Sequence, residues 1–206
     1  MNWVEENLAL FLPEYLSGPS QRNLIDAIKQ FPANIDDRLY CHGGTAESSP
    51  LQGDGVFGLT MGHVESRRFI ELPCMLLSNS CDMDLTNAGM GTGICYAPIF
   101  RLDKYRRQVE NELGKARAAG YIESLREQRV TQCMYLPKGN GLQHEGIVMF
   151  DQMTSRSSTA LLQHEICEKR SFRLSQYGFY LLLFKLSIHF TRMGEALDRD
   201  AGDAEK

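Results

Sequence analysis

Between Leu51 and Ser157 the chain is a series of short apolar runs punctuated by Gly and Pro: GVFGLTM, RFIEL, CMLLS, ICYAPIF, TQCMYLP and EGIVMFDQMTSRS. Runs of this length, rich in Val, Ile, Phe and Tyr and closed by turn formers, read as strands. That many short strands must share one buried face, which predicts a small curled sheet or barrel over residues 51–170. One stretch departs from the pattern. Residues 101–130 contain no Pro and are dense in Arg, Glu, Ala and Leu, a composition that favours helix. A helical insertion is expected there, two helices broken near Gly120, peripheral to the barrel core.

The flanks are helical in pattern, so the fold class is α+β. Residues 1–50 form an N-terminal arm and connector. Two short helices over 2–32 are separated at SGPS, with Ser20 capping the second, and Leu24, Ile25, Ile28 and Phe31 fall on one face of it. Residues 33–50 are poor in apolar side chains and read as a connector. A long apolar helix is expected to start at Phe172 and to occupy most of 171–197, followed by a disordered acidic tail over 198–206.

Composition narrows the function classes. With 43% hydrophobic and 23% charged residues, the chain matches an ordinary globular protein. The formal charge is -4, but Glu195 to Lys206 carry much of it, so the body is near neutral and a local basic groove remains compatible. Six cysteines, at 41, 74, 81, 95, 133 and 167, form no Cys-x-x-Cys pair and no compact disulfide framework, which fits a reducing cytoplasm. The N-terminus has no basic stretch before its apolar residues, so no signal peptide is read. The segment YGFYLLLFKLSIHF is too short to span a bilayer and holds Lys185 and His189, so a buried or partner-facing helix is expected, with a homodimer as one outcome. Cys41-His42 resembles half of a metal site without a second pair, and no metal or cofactor is expected. Nucleotide-binding and metalloprotease motifs do not occur.

The polar run Ser78, Asn79, Ser80, Cys81 and Asp82 closes the strand CMLL abruptly. Small polar side chains that bond to nearby backbone make a turn there. At the rim of a barrel the same residues would border a groove.

Read in order, GDGVFGLT, MGHVESRRF, LPCMLLSN, ICYAPIF and EGIVMFDQMTSR resemble the MazF/PemK family of small SH3-like barrels, endoribonuclease toxins of toxin-antitoxin systems. The resemblance covers about residues 52 to 160 and implies RNA as substrate and an antitoxin as protein partner. It also implies a candidate catalytic set. Asp151 matches an acidic position, His63 a histidine of the first long loop, and Arg67 and Arg68 lie near an arginine that precedes a proline. Metal-independent RNA cleavage needs such a set: a base, an acid, and donors for the phosphorane charge. The sequence departs from the pattern at Leu72, Phe100 and Met149, where members carry arginine, threonine and arginine.

Those departures keep open a second reading, a non-catalytic barrel that binds a protein or nucleic acid. A third uses Cys81 as a nucleophile, which requires a base such as His63 at the same rim.

Overall fold

The computed structural model describes residues 18–42, 49–63, 67–84, 93–157 and 163–191. Its elements are α1 (Gly18–Lys29), β1 (Gly55–His63), β2 (Arg68–Leu76), the single turn α2 (Ser80–Met83), β3 (Gly93–Arg101), α3 (Leu102–Leu113), α4 (Lys115–Arg126), β4 (Cys133–Leu136), β5 (Gly146–Met149), β6 (Thr154–Ser157), α5 (Gln163–Glu168), β7 (Arg170–Phe172) and α6 (Gln176–Thr191). The seven strands form one antiparallel sheet in the order β4-β5-β3-β2-β1-β7, with β6 also paired to β3. The end strands β4 and β7 do not pair with each other, so the sheet is open rather than closed into a barrel.

The proline positions explain how the sheet bends. RFIEL and CMLLS read as two strands, yet β2 runs unbroken through Pro73. Proline cannot donate to a ladder, and Pro73 falls opposite a bulge in β1, between the pairs Val56↔Cys74 and Leu59↔Leu72. Gly58, inside that bulge, has φ +71, a conformation glycine adopts at little cost. Pro98 marks the equivalent point in β3. Up to and including it β3 pairs with β2 and β6, and after it with β5.

The run EGIVMFDQMTSRS is likewise two strands, separated by a 3₁₀ turn at Phe150–Gln152. Between the pairs Ile99↔Val148 and Tyr96↔Thr154, β3 moves three residues while its partner moves six. The surplus is absorbed in the turn, which lets Phe150 drop into the core with no exposed surface.

Three apolar clusters hold these layers together. The largest lies between the sheet and the helices α1 and α6, with Tyr40, Met134, Leu136, Phe150, Phe172 and Leu182 among its members. Leu24 is buried, and Ile25, Ile28 and Phe31 pack partly against it, as the spacing predicts. The second fills the inside of the sheet's curl, with Leu59, Met61, Ile94, Tyr96 and Ile166. The third joins the helical insertion to β4 and β5 through Leu102, Ile122, Leu125, Cys133, Tyr135, Ile147 and Met149.

Several expected boundaries move. The insertion breaks at Gly114 (φ +79), and Gly120 lies inside α4; a glycine between two helices marks the break only where the backbone turns left-handed. The insertion also covers one face of β4 and β5, so it is a packed layer rather than a peripheral addition. The helix α1 begins at Gly18 and includes Pro19 and Ser20, since proline is tolerated in a first turn. Phe172 belongs to β7, which crosses the expected boundary at 170, and α6 starts at Gln176. The connector supplies Leu39 and Tyr40 to the core, where Tyr40 donates to the Pro137 carbonyl at 2.6 Å. The first of the two N-terminal helices and the acidic tail lie outside the described residues. Among the described residues no helix is long and apolar enough to cross a membrane.

The helix α6 packs on α1, as expected for a C-terminal helix apolar on more than one face. It carries a buried cation. Lys185 is 3% exposed and donates to the carbonyls of Gln128 and Val130, just beyond the end of α4. Burial pushes its pKa down to about 8 from an ordinary 10.5, with the Cys133 thiol acting in the opposite direction. The unfolded chain therefore holds more protons than the folded one between those two values, so this group's contribution to stability rises with pH across that window. Relative to Lys185→Met, the wild type should gain up to about 1.4 kcal/mol per pH unit between about pH 8 and 10. Urea unfolding of both proteins across that range measures it. A constant difference would contradict the assigned protonation.

Candidate nucleic-acid interface

Beyond the bulge, β1 and β2 continue as a two-stranded arm. Its register pairs Leu59 with Leu72, Met61 with Ile70, Gly62 with Phe69 and His63 with Arg68. The alternation gives the arm two unlike faces. Leu59, Met61 and Leu72 turn inward onto the second cluster. Phe69, on the other face, is 79% exposed, while Ile70, opposite Met61, is 50% exposed. A Cβ on Gly62 would lie 3.2 Å from the Phe69 ring, so the ring lies across that glycine.

Arg67 and Arg68 immediately precede Phe69 and are exposed, and Arg68, opposite His63, falls on the face of Met61 and Ile70. Arg67 has φ 52, the left-handed region, as the chain enters β2. Several other arginines are matched with carboxylates, among them Arg101 with Asp103, Arg106 with Glu110, Arg126 with Glu145 and Arg173 with Asp54. Arg67 and Arg68 form no ion pair with a described carboxylate. Two guanidinium groups unmatched among the described residues, on the same arm as an open ring, suit an anionic ligand that also presents flat apolar faces.

The expected catalytic residues are carried by different elements. The ladder joins His63, Arg67 and Arg68 at the arm. Asp151 is exposed in the 3₁₀ turn between β5 and β6. Its charge is felt at Tyr121, whose pKa rises chiefly because the phenol is buried, and at the buried Cys133 thiol. Both belong to the insertion side of the sheet, whereas the arm curls over the second cluster.

The polar run after β2 acts as a local structural device. The Ser78 hydroxyl accepts from the Cys95 amide at 2.8 Å, the Asn79 side chain accepts from the Cys81 amide at 3.0 Å, and the Ser80 hydroxyl accepts from the Gln52 amide at 3.0 Å. These bonds tie the end of β2 to β3 and start α2, which is the turn-forming reading of that run. Cys81 and Asp82 are exposed there. This end of β2 lies eight residue steps from Arg68, a contour of about 26 Å. His63 ends β1 at the tip of the arm, whereas Cys81 lies in α2, beyond the other end of β2; the Cys81 nucleophile reading needs the two at one rim.

Ser80 also lines a cleft of about 240 Å³ with Leu51, Gln52, Arg173, Leu174 and Phe179. Its polar groups are engaged within the fold: Arg173 binds Asp54 through two 2.8 Å bonds, and the Gln52 amide donates to the Leu77 carbonyl at 2.7 Å. Near the connector, the Cys41 thiol donates to the Leu174 carbonyl at 3.2 Å and His42 stands 3.3 Å from Asp37.

Comparison with protein-family models, with curated proteins and with solved structures finds no match to this chain. Function is therefore read from the residues themselves. Two that matter, Tyr96 and Arg156, escape a sequence reading. ICYAPIF reads as plain core and TSRS as a strand end, and only the long-range contact described below sets them apart.

Proposed function

We propose that this chain binds single-stranded RNA on the β1–β2 arm, as a MazF/PemK-like protein that holds RNA without cutting it. One observation carries the reading: Arg67 and Arg68, without ion-pair partners among the described residues, directly precede Phe69, whose ring is 79% exposed. Backbone phosphates suit the first two and an unstacked base suits the third. Cleavage would require a base and an acid within hydrogen-bond reach of one phosphate. Asp151 lies in the 3₁₀ turn between β5 and β6 and His63 at the end of β1, on separate elements, which favours binding over chemistry. A toxin-antitoxin or defence role on RNA would be built on such binding.

The test is fluorescence anisotropy with short labelled single-stranded RNA of mixed sequence, in EDTA. Phe69→Ala should weaken binding by about 1–3 kcal/mol, the worth of one stacked base. Phe69→Trp should preserve it. Neither change touches a buried residue, so the fold is expected to survive both. RNA affinity indifferent to Phe69→Ala would remove the arm as the surface. Cleavage by the wild type that persists in EDTA, and falls in both Asp151→Asn and His63→Ala, would favour the nuclease reading instead.

A further inference from the structure

The arm is fixed by one long-range side-chain bond. The Tyr96 hydroxyl, on β3, donates to the Thr60 carbonyl, on β1, at 2.7 Å. Those strands are separated by β2, hence by about 10 Å in a flat sheet. The phenol can reach only because β1 and β2 bend at Gly58 and Pro73 and bring the arm back over the concave face. Tyr96 itself is fully buried among Ile94, Leu59 and Met61.

Arg156 lies at the same place. It pairs across the ladder with Ile94, and directly opposed residues share a face of the sheet. Its side chain therefore rises at the rim of the second cluster, beside the Tyr96 phenol. Burial raises the pKa of that phenol, and the neighbouring Arg156 charge acts to lower it. Arg156 is exposed and, like Arg67 and Arg68, forms no ion pair with a described carboxylate. Thr60 is three residue steps, about 10 Å, from the His63↔Arg68 pair.

We infer that the RNA surface extends from the arm to Arg156, a further phosphate-binding residue, and that Tyr96 is a positioning residue that holds the arm and Arg156 in fixed relation. The inference rests on the RNA reading above. Single-stranded RNA is the occupant that fits, because a chain of phosphates can engage in succession the separated guanidinium groups of Arg68, which falls on the face of Met61 and Ile70, and of Arg156, opposite Ile94.

Two measurements test it separately. RNA affinity is measured over a range of salt concentrations for wild type, Arg156→Gln and Arg156→Lys. Each phosphate contact on a single strand contributes about 0.7 to the slope of log K against log salt. Arg156→Gln should lower the slope by about that amount, and Arg156→Lys should keep it. An unchanged slope in Arg156→Gln, with the wild type binding RNA, would overturn Arg156 as a contact and leave the arm reading intact. A wild type that does not bind RNA would overturn that reading and this extension together. Displacement of RNA by poly-glutamate at equal charge concentration would assign the surface to an acidic protein and also overturn the inference.

The positioning role has its own readout, hydrogen exchange without RNA. In Tyr96→Phe, amides at 59–63 and 68–72 should exchange at least about tenfold faster, the effect of losing a bond of about 1.4 kcal/mol. Met134 and Val148, in β4 and β5, serve as the reference for global stability. Faster exchange at all sites alike, or no change in the arm, would overturn the positioning role.

Discussion

Asp54→Ala should destabilise the protein by about 3–5 kcal/mol, the cost of removing one partner from a buried ion pair. Asp54 is 1% exposed and Arg173 is 7% exposed. The carboxylate takes two 2.8 Å bonds from the Arg173 guanidinium, accepts from the Leu51 amide at 3.0 Å, and stands 3.5 Å from Arg170. Removing it leaves two arginines close together and largely out of water. A domain of this kind has only about 5–15 kcal/mol in total, so the variant should unfold at markedly lower urea. The double variant Asp54→Leu with Arg173→Leu should be less destabilised than Asp54→Ala alone, because it buries no uncompensated Arg173 charge. Equal destabilisation of the two would mean that packing, not charge, dominates the site. The consequence reaches the arm: Asp54 immediately precedes β1, and Arg170 and Arg173 bracket the short β7 that pairs with the base of β1.

Replacing the insertion, residues 102–129, by a short loop should give an insoluble chain. The third cluster relies on Leu102, Ile122 and Leu125 to cover Cys133, Tyr135, Ile147 and Met149. Each of those three helical side chains is nearly fully buried, worth about 1.5–3 kcal/mol. The deletion would also remove Gln128, whose side chain bonds both the amide and the carbonyl of Tyr135, and Arg126, which holds Glu145 through two 2.9 Å bonds. It would further strip Lys185 of one of its two carbonyl acceptors. A soluble deletion variant with a cooperative unfolding transition would show that β4 and β5 need no such cover. Leu125→Ala provides the graded version, with an expected loss of about 2–5 kcal/mol in urea unfolding.

The two experiments bear on function differently. The insertion side carries Asp151, Tyr121 and Cys133, whereas the arm side carries Arg67, Arg68, Phe69 and Arg156. Leu125→Ala should therefore reduce stability while leaving RNA affinity of the folded fraction unchanged. Substitutions on the arm should do the reverse.

Much of the architecture was legible in the sequence because it depends on local pattern. The proline-free, Arg- and Glu-rich stretch after Phe100 had to be helical, and Leu24, Ile25, Ile28 and Phe31 had to share a face. Short apolar runs closed by Gly and Pro had to be strands, and Ser78, Asn79 and Ser80 had the chemistry to make a turn. Arg67, Arg68 and His63 were also recognisable as a group, since they flank one hairpin. Local pattern does not set how far a strand continues or where a sheet bends. Pro73 looked like a break and is an interior residue of β2, because a bulge 15 residues earlier in the chain removes the need for its missing amide. Gly120 looked like a helix break and is not one, because only Gly114 takes up the left-handed turn. The position of Arg156 beside Tyr96, the bond from Tyr96 to Thr60 across 36 residues, and the burial of Lys185 against the end of α4 were decided by tertiary structure alone. The alternation of a strand states which side chains share a face. It carries no information about the curvature that brings one face against another, and that curvature places the arm, Tyr96 and Arg156 together.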